Sequence, residues 1–248
     1  MTNTNETRCI LAPSCQFAGD SAKCHDRCPA YIQMHSASGR HTLAGLPSEY
    51  ALIDISTAPP RADQPAVYRF IDAYVATFER QFDDKPAIKS AYLYSDEPGT
   101  GKTTTAAGLI NAWLRAHYVG AARLGRQPLR KPAEFFDLNE YQTAYNLASM
   151  SGDDVKLQAL TKRLNEAARV PFLVLDDVGI RSASEAFRGL VHAVINARLA
   201  AGRPTVYTSN IKMGDLADVY DARLADRIRD NCQDLPFVGK SKRGLRRK

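Results

Sequence analysis

No apolar run in the 248 residues comes near the roughly 18 that a membrane-spanning helix requires, which argues against a transmembrane segment. The first eight residues, Met1 to Arg8, are polar and carry no signal-peptide core, so a cytoplasmic protein with reduced thiols is expected. No C-x-x-C pair occurs among the five cysteines, so no standard zinc knuckle is present. No carboxylate–histidine arrangement near those cysteines suggests an activated water, which argues against a catalytic zinc. Nor does any segment read as a lid over a small substrate, which argues against a small-molecule phosphotransferase.

What is present centres on residues 92–104. Tyr92-Leu93-Tyr94 reads as a buried strand, Pro98, Gly99 and Gly101 turn the chain, and a helical pattern follows through Leu109, Ile110, Trp113 and Leu114. Strand, glycine turn and helix start form a cradle whose backbone N–H groups and helix dipole suit phosphate. Glu97, Pro98, Gly99, Thr100, Gly101, Lys102, Thr103 and Thr104 are the candidate ATP-binding residues. Lys102 would reach the terminal phosphates and Thr103 would ligate Mg²⁺. The strict G-x-x-x-x-G-K-[ST] pattern is broken at its first position, which is Asp96.

A second landmark is Val170-Pro171-Phe172-Leu173-Val174-Leu175-Asp176-Asp177, an apolar strand ending in two carboxylates about 70 residues beyond the loop. Asp176 is assigned to the magnesium and Asp177 to the attacking water. Thr205 to Asn210 is a further strand, and Asn210 at its tip could reach the water or the γ-phosphate. Between them, Ser184 reads as the N-cap of a helix that Gly202 stops. On a later helix, Arg223 and Arg227 lie one turn apart, either as surface ion-pair partners of Asp226 and Asp230 or as an arginine finger reaching a neighbouring subunit.

Cys9, Cys15, Cys24 and Cys28 crowd the N-terminus with spacings of five, eight and three residues. Thiolates clustered in a reduced protein point to a structural Zn²⁺, with His25 or His35 as a replacement for one cysteine and unligated thiols as the plain alternative. Ser36 to Gly45 reads as a linker, and Val67 to Phe82 as an amphipathic helix ended by residues 83–86. The net charge of +6, the basic loop from Arg123 to Lys131 and the tail from Lys240 to Lys248 favour a polyanionic partner or plain solvated faces.

The order Pro98-Gly99-Thr100-Gly101-Lys102-Thr103, Leu175-Asp176-Asp177-Val178-Gly179, Thr205 to Asn210, Arg223 to Arg229 resembles the AAA+ ATPases of the DnaC/DnaI helicase-loader type, with the transposition helper IstB a close relative. The resemblance covers about residues 65–240. It implies an α/β P-loop NTPase with a parallel sheet flanked by helices, preceded by a cysteine-rich zinc module. With only a few residues after the last strand, the family's small helical lid is expected to be absent, which fits loaders. It implies Lys102 and Thr103 as Walker A residues, Asp176 and Asp177 as Walker B, Asn210 as sensor 1, and Arg227 ahead of Arg223 as finger. The expected division is residues 1–45 as a helicase-gripping zinc module, 46–65 as linker, 66–239 as ATPase domain and 240–248 as basic tail. The expected partners are a replicative DnaB-type helicase, single-stranded DNA and further copies of the chain when ATP is bound. The alternative is an IstB-like transposition helper acting on duplex DNA.

Overall fold

Alternating apolar runs and amphipathic helices build one parallel sheet with helices on both faces. A computed structural model describes residues 4–84, 88–179 and 184–242. The expected end of the Val67–Phe82 helix at residues 85 and 86, and the tail beyond Lys242, lie outside the described residues.

The N-terminal part carries two short helices, α1 (Pro29–His35) and α2 (Arg40–Leu43). Helix α3 (Pro65–Ala76) begins on a proline at its first position, where no N–H is needed, and tightens into a 3₁₀ segment over Thr77–Phe82. The αβ core follows as β1 (Ser90–Tyr94), α4 (Lys102–Arg123), β2 (Ala133–Asp137), α5 (Leu138–Ser151), α6 (Asp154–Arg169), β3 (Phe172–Asp176), α7 (Glu185–Ala200), β4 (Thr205–Ser209), α8 (Ala222–Asn231) and β5 (Cys232–Pro236). The strands pair in parallel in the order β2-β3-β4-β1-β5. Side chains alternate across the sheet. Ala91 and Leu93 face the α3/α4 side, while Tyr92 and Tyr94 face the side of α5 to α8. The α4 side is anchored by Trp113, stacked on Phe172 with ring centroids 4.6 Å apart, and by Phe78 edge-on to both.

Side-chain caps fix four helix starts in the core. Asp137, Asp153, Ser184 and Asp221 accept from the N–H groups of Glu140, Lys156, Phe187 and Leu224, and Ser184 is the cap that the sequence pattern predicts. Helix α4 differs: its N-cap is Gly101, and no side chain caps its first turn.

Two expectations are corrected. Residues 36–45 are not a plain linker, because α2 forms there and the Ala44 carbonyl accepts the Phe135 N–H at 2.7 Å, extending hydrogen bonding beyond the β2 edge. Residues 46–65 are likewise built into the body. Asn111 on α4 donates to the carbonyls of Ala51 and Ile53, and Asp54 pairs with Arg115 at 2.6 Å. The physical reason is apolar burial: Ile10, Leu11, Met34, Ile55 and Ala58 belong to the same core as Val67 and Ile71. The last strand also begins earlier than the apolar run Leu235-Pro236-Phe237-Val238, over which the sequence predicts it. Cys232 opens β5, and the polar Gln233 and Asp234 are tolerated because β5 is an exposed sheet edge. No helix among the described residues is long and apolar enough to cross a membrane.

Candidate active site

The site lies at the carboxyl ends of β1, β3 and β4, where the loop after β1 meets two strand tips. Gly99 and Gly101 hold φ of 74° and 103°, a left-handed conformation open to glycine. A Cβ at Gly101 would stand 2.4 Å from Pro60 Cγ, so the loop backbone and the segment before α3 meet where no side chain fits. Asp96 explains the broken motif. Among the described residues Asp177 is the sole non-glycine with positive φ, so the chain passes Asp96 without the conformation that would demand glycine.

The loop lines a cavity of about 480 Å³ together with Lys102, Thr103, Asp177 and Asn210. Lys102 is buried, and its Nζ donates to Asn210 Oδ1 at 2.7 Å and to the Glu97 carbonyl at 3.3 Å. Thr103 Oγ1 donates to Asp176 at 3.1 and 3.3 Å. The structure therefore brings Lys102, Thr103, Asp176, Asp177 and Asn210 to one place. Glu49, Tyr50 and Lys242 complete the cavity wall from outside the motifs; Lys242 belongs to the basic tail singled out in the sequence, whereas Glu49 and Tyr50 were missed. Neither Glu49 nor Tyr50 belongs to a phosphate-binding pattern, and only the folding of residues 46–65 onto α4 brings them in.

Asp176 is buried at the end of β3. Burial raises its carboxyl to about 6, the neighbouring Asp177 and Asp137 push the same way, and hydrogen bonds from Thr208 and Thr103 pull it down. A buried carboxylate beside a threonine hydroxyl is a hard-oxygen pair of the kind that Mg²⁺ takes, and a cation there would compensate the desolvated charge. Asp177 follows with φ 61°, and its Oδ2 accepts from Asn139 Nδ2 at 2.8 Å. Asn139 and Thr208 are site residues that the motif spacing did not disclose.

Arg223 is exposed on α8, whereas Arg227 donates to Asn196 on α7. Neither lines the cavity of its own chain. The expected pairing with Asp226 is made instead by Arg229. In the basic loop, Arg123 pairs with Glu79 at 3.4 Å and Lys131 with the buried Glu134 at 2.8 Å.

Cys9, Cys15, Cys24 and Cys28 line one cavity of about 200 Å³ and are free thiols. Burial raises the Cys9 thiol, and the other three add to the shift. No three His, Cys, Asp or Glu side chains among the described residues stand close enough together to hold a metal ion. The donor chemistry suits zinc, but the spacing is not that of a formed site. His35 is otherwise engaged: its Nε2 accepts the Ile10 N–H at 3.2 Å and its ring stacks on Tyr31. His25 Nδ1 accepts the Arg27 N–H at 3.2 Å.

No family model matches the chain. The replicative helicase loader DnaC of Escherichia coli strain K12 is 23% identical over 154 residues, which are 61% of this chain and 54% of that protein. The chain thus spans about half the length of the curated relatives it matches. The crystal structure of DnaI superposes with a TM-score of 0.55 at 21% identity, covering 78% of this chain and 95% of that one. AMPPCP-bound DnaA from Aquifex aeolicus superposes with a TM-score of 0.53 at 16% identity, covering 80% of this chain and 53% of that one. The fold is that of the AAA+ proteins, and in sequence and fold the chain resembles helicase loaders of the DnaC type.

Proposed function

We propose that this chain is an ATP-dependent loader of a replicative DnaB-type DNA helicase, working in the cytoplasm. It binds ATP-Mg²⁺ in the loop from Glu97 to Thr104 and also binds single-stranded DNA. It assembles with further copies when ATP is bound and hydrolyses ATP across subunit interfaces. One observation carries the ATPase reading: Lys102 and Asn210 are joined on one side of the cavity, and Thr103 and Asp176 on the other. The likeness to DnaC supports the loading role.

In this reading the loop N–H groups and Lys102 bind the phosphates, while Thr103 and Asp176 hold the magnesium. Mg²⁺, when bound, offsets phosphate charge. Asp177 orients or deprotonates water, and Asn210 helps to place it. Arg223 or Arg227 acts on a neighbour's site, a role that their position outside their own cavity leaves open. The four thiols of Cys9, Cys15, Cys24 and Cys28 bind Zn²⁺, supported by the cavity they share.

The test uses the full chain, the host's replicative helicase and single-stranded DNA, and measures phosphate release and co-purification. ATP turnover with helicase capture is expected. An absence of ATP binding rejects the ATPase reading. Turnover with filaments on duplex DNA and no helicase affinity replaces loading with a transposition-helper role.

A further inference from the structure

The residue before the strand tip of β4 does more than fill the sheet. Thr208 is fully buried beside the end of β3. Its hydroxyl is used twice. Oγ1 donates to Asp176 Oδ1 at 2.6 Å and accepts the Asp177 N–H at 2.9 Å. A hydroxyl has one proton, so giving it to the carboxylate leaves a lone pair for the amide. The Thr208 carbonyl then accepts the Val178 N–H at 2.8 Å. One residue thus holds three consecutive positions, just where Asp177 takes a left-handed conformation that is unfavourable for a side chain.

We propose that Thr208 is a positioning residue of the phosphate site, which clamps the turn after β3 and so aims the carboxylates of Asp176 and Asp177 at the cavity. Without its hydroxyl, the Asp177 amide loses its partner and the left-handed turn loses a restraint. The direction of the Asp177 side chain then depends on Asn139 and the remaining contacts. The hydroxyl touches no reacting atom; it acts through the two aspartates. This inference rests on the ATPase reading above, but the geometry that it invokes can be measured without turnover.

The experiment compares Thr208→Val, which keeps the shape and removes the hydroxyl, with Thr208→Ser, which keeps the hydroxyl. Thr208→Val should bind ADP as wild type does and lose about tenfold or more in kcat, the equivalent of one good hydrogen bond in the transition state. Thr208→Ser should recover most of that loss. Independently, amide hydrogen exchange at Asp177 and Val178 should speed up in the valine variant and remain slow in the serine variant. Equal impairment of both variants would assign the effect to packing and overturn the proposal, as would wild-type turnover in Thr208→Val or unchanged exchange at Asp177. A wild-type protein that neither binds nor hydrolyses ATP would overturn the ATPase reading alone, and the exchange comparison would still decide whether Thr208 clamps the turn.

Discussion

Lys102 Nζ and Asn210 Oδ1 meet at 2.7 Å although 108 positions separate them in sequence. The bond ties the phosphate loop to the tip of β4, so the two residues share one site. Removing the ammonium removes charge-assisted bonds to phosphate, so Lys102→Ala should weaken ATP binding by at least about tenfold. Asn210→Ala removes a neutral partner, so affinity should stay within a few-fold while turnover falls. Titration with a fluorescent ATP analogue and phosphate release separate the two. Equal effects on binding from both substitutions would refute this division of roles.

Asp177 is held from two directions, by Thr208 at its amide and by Asn139 at Oδ2. If its carboxylate serves the water, Asp177→Asn should leave ATP bound and slow hydrolysis by about a hundredfold or more. Asn139→Ala removes only one orienting bond, so a smaller loss of kcat with unchanged ATP affinity is expected. Single-turnover rates at saturating ATP check both, and an unimpaired Asp177→Asn would remove this residue from the chemistry.

At the opposite end of the sheet, Arg198 is fully buried with no carboxylate among its hydrogen-bond partners. It donates to the carbonyls of Ala167, Val170 and Pro204 and to Thr205 Oγ1, joining the end of α6 to the starts of β3 and β4. Burial lowers its guanidinium to about 10, which still leaves it charged at neutral pH. Arg198→Leu would strand several buried carbonyls at once and should cost about 3–5 kcal/mol. Arg198→Lys cannot reproduce the planar fork and should rescue little. Urea denaturation measures both, and a loss below about 1 kcal/mol would contradict the structural role assigned here.

Much of the core was legible because two kinds of signal coincided there. Glycines at 99 and 101 mark a backbone that only glycine adopts easily, and the apolar run into Asp176 marks a buried parallel strand. The N-terminal 65 residues were harder to read. Met34 and Ile10 sit in short turns and helices without a sustained period, so their burial against the body has no local signature. Thr208 was hidden for a related reason. A threonine in a strand is ordinary, and its use becomes visible only once β3 and β4 are neighbours. Asn139 depends in the same way on β2 lying beside β3.

His117 gives the fold an acid-sensitive point. Its Nδ1 contacts Gln81 Oε1 at 2.6 Å and its Nε2 accepts the Leu129 N–H at 3.0 Å, an arrangement that requires the neutral ring. Burial lowers its value from 6.5 to about 4. The unfolded chain therefore binds the proton more readily, so this contribution is complete above pH 6.5 and is lost as pH falls towards 4. The loss is roughly 3 kcal/mol from this residue. His35, lowered to about 4, acts in the same sense, whereas Asp176, raised to about 6, gains stability on protonation and opposes them. His117→Gln should flatten the fall in urea stability between pH 7 and 5, and an unchanged slope would mean that His117 is not the sensitive group.

The cysteine-rich segment can be tested apart from the ATPase site. Its described residues 4–28 bury little apolar surface beyond Ile10 and Leu11, and those two dock on the core shared with α3 and α4. If Cys9, Cys15, Cys24 and Cys28 bind zinc, the full chain should purify with about one zinc per molecule, as a four-thiolate site requires. Cys24→Ser combined with Cys28→Ser should remove it. Because Met34 and Ile55 already belong to the main core, chelation should loosen residues 4–28 without unfolding the body. Elemental analysis and hydrogen exchange before and after chelation read these two effects. A metal-free protein whose four thiols all react with a thiol reagent would mean that docking on the core holds the segment in place without any metal.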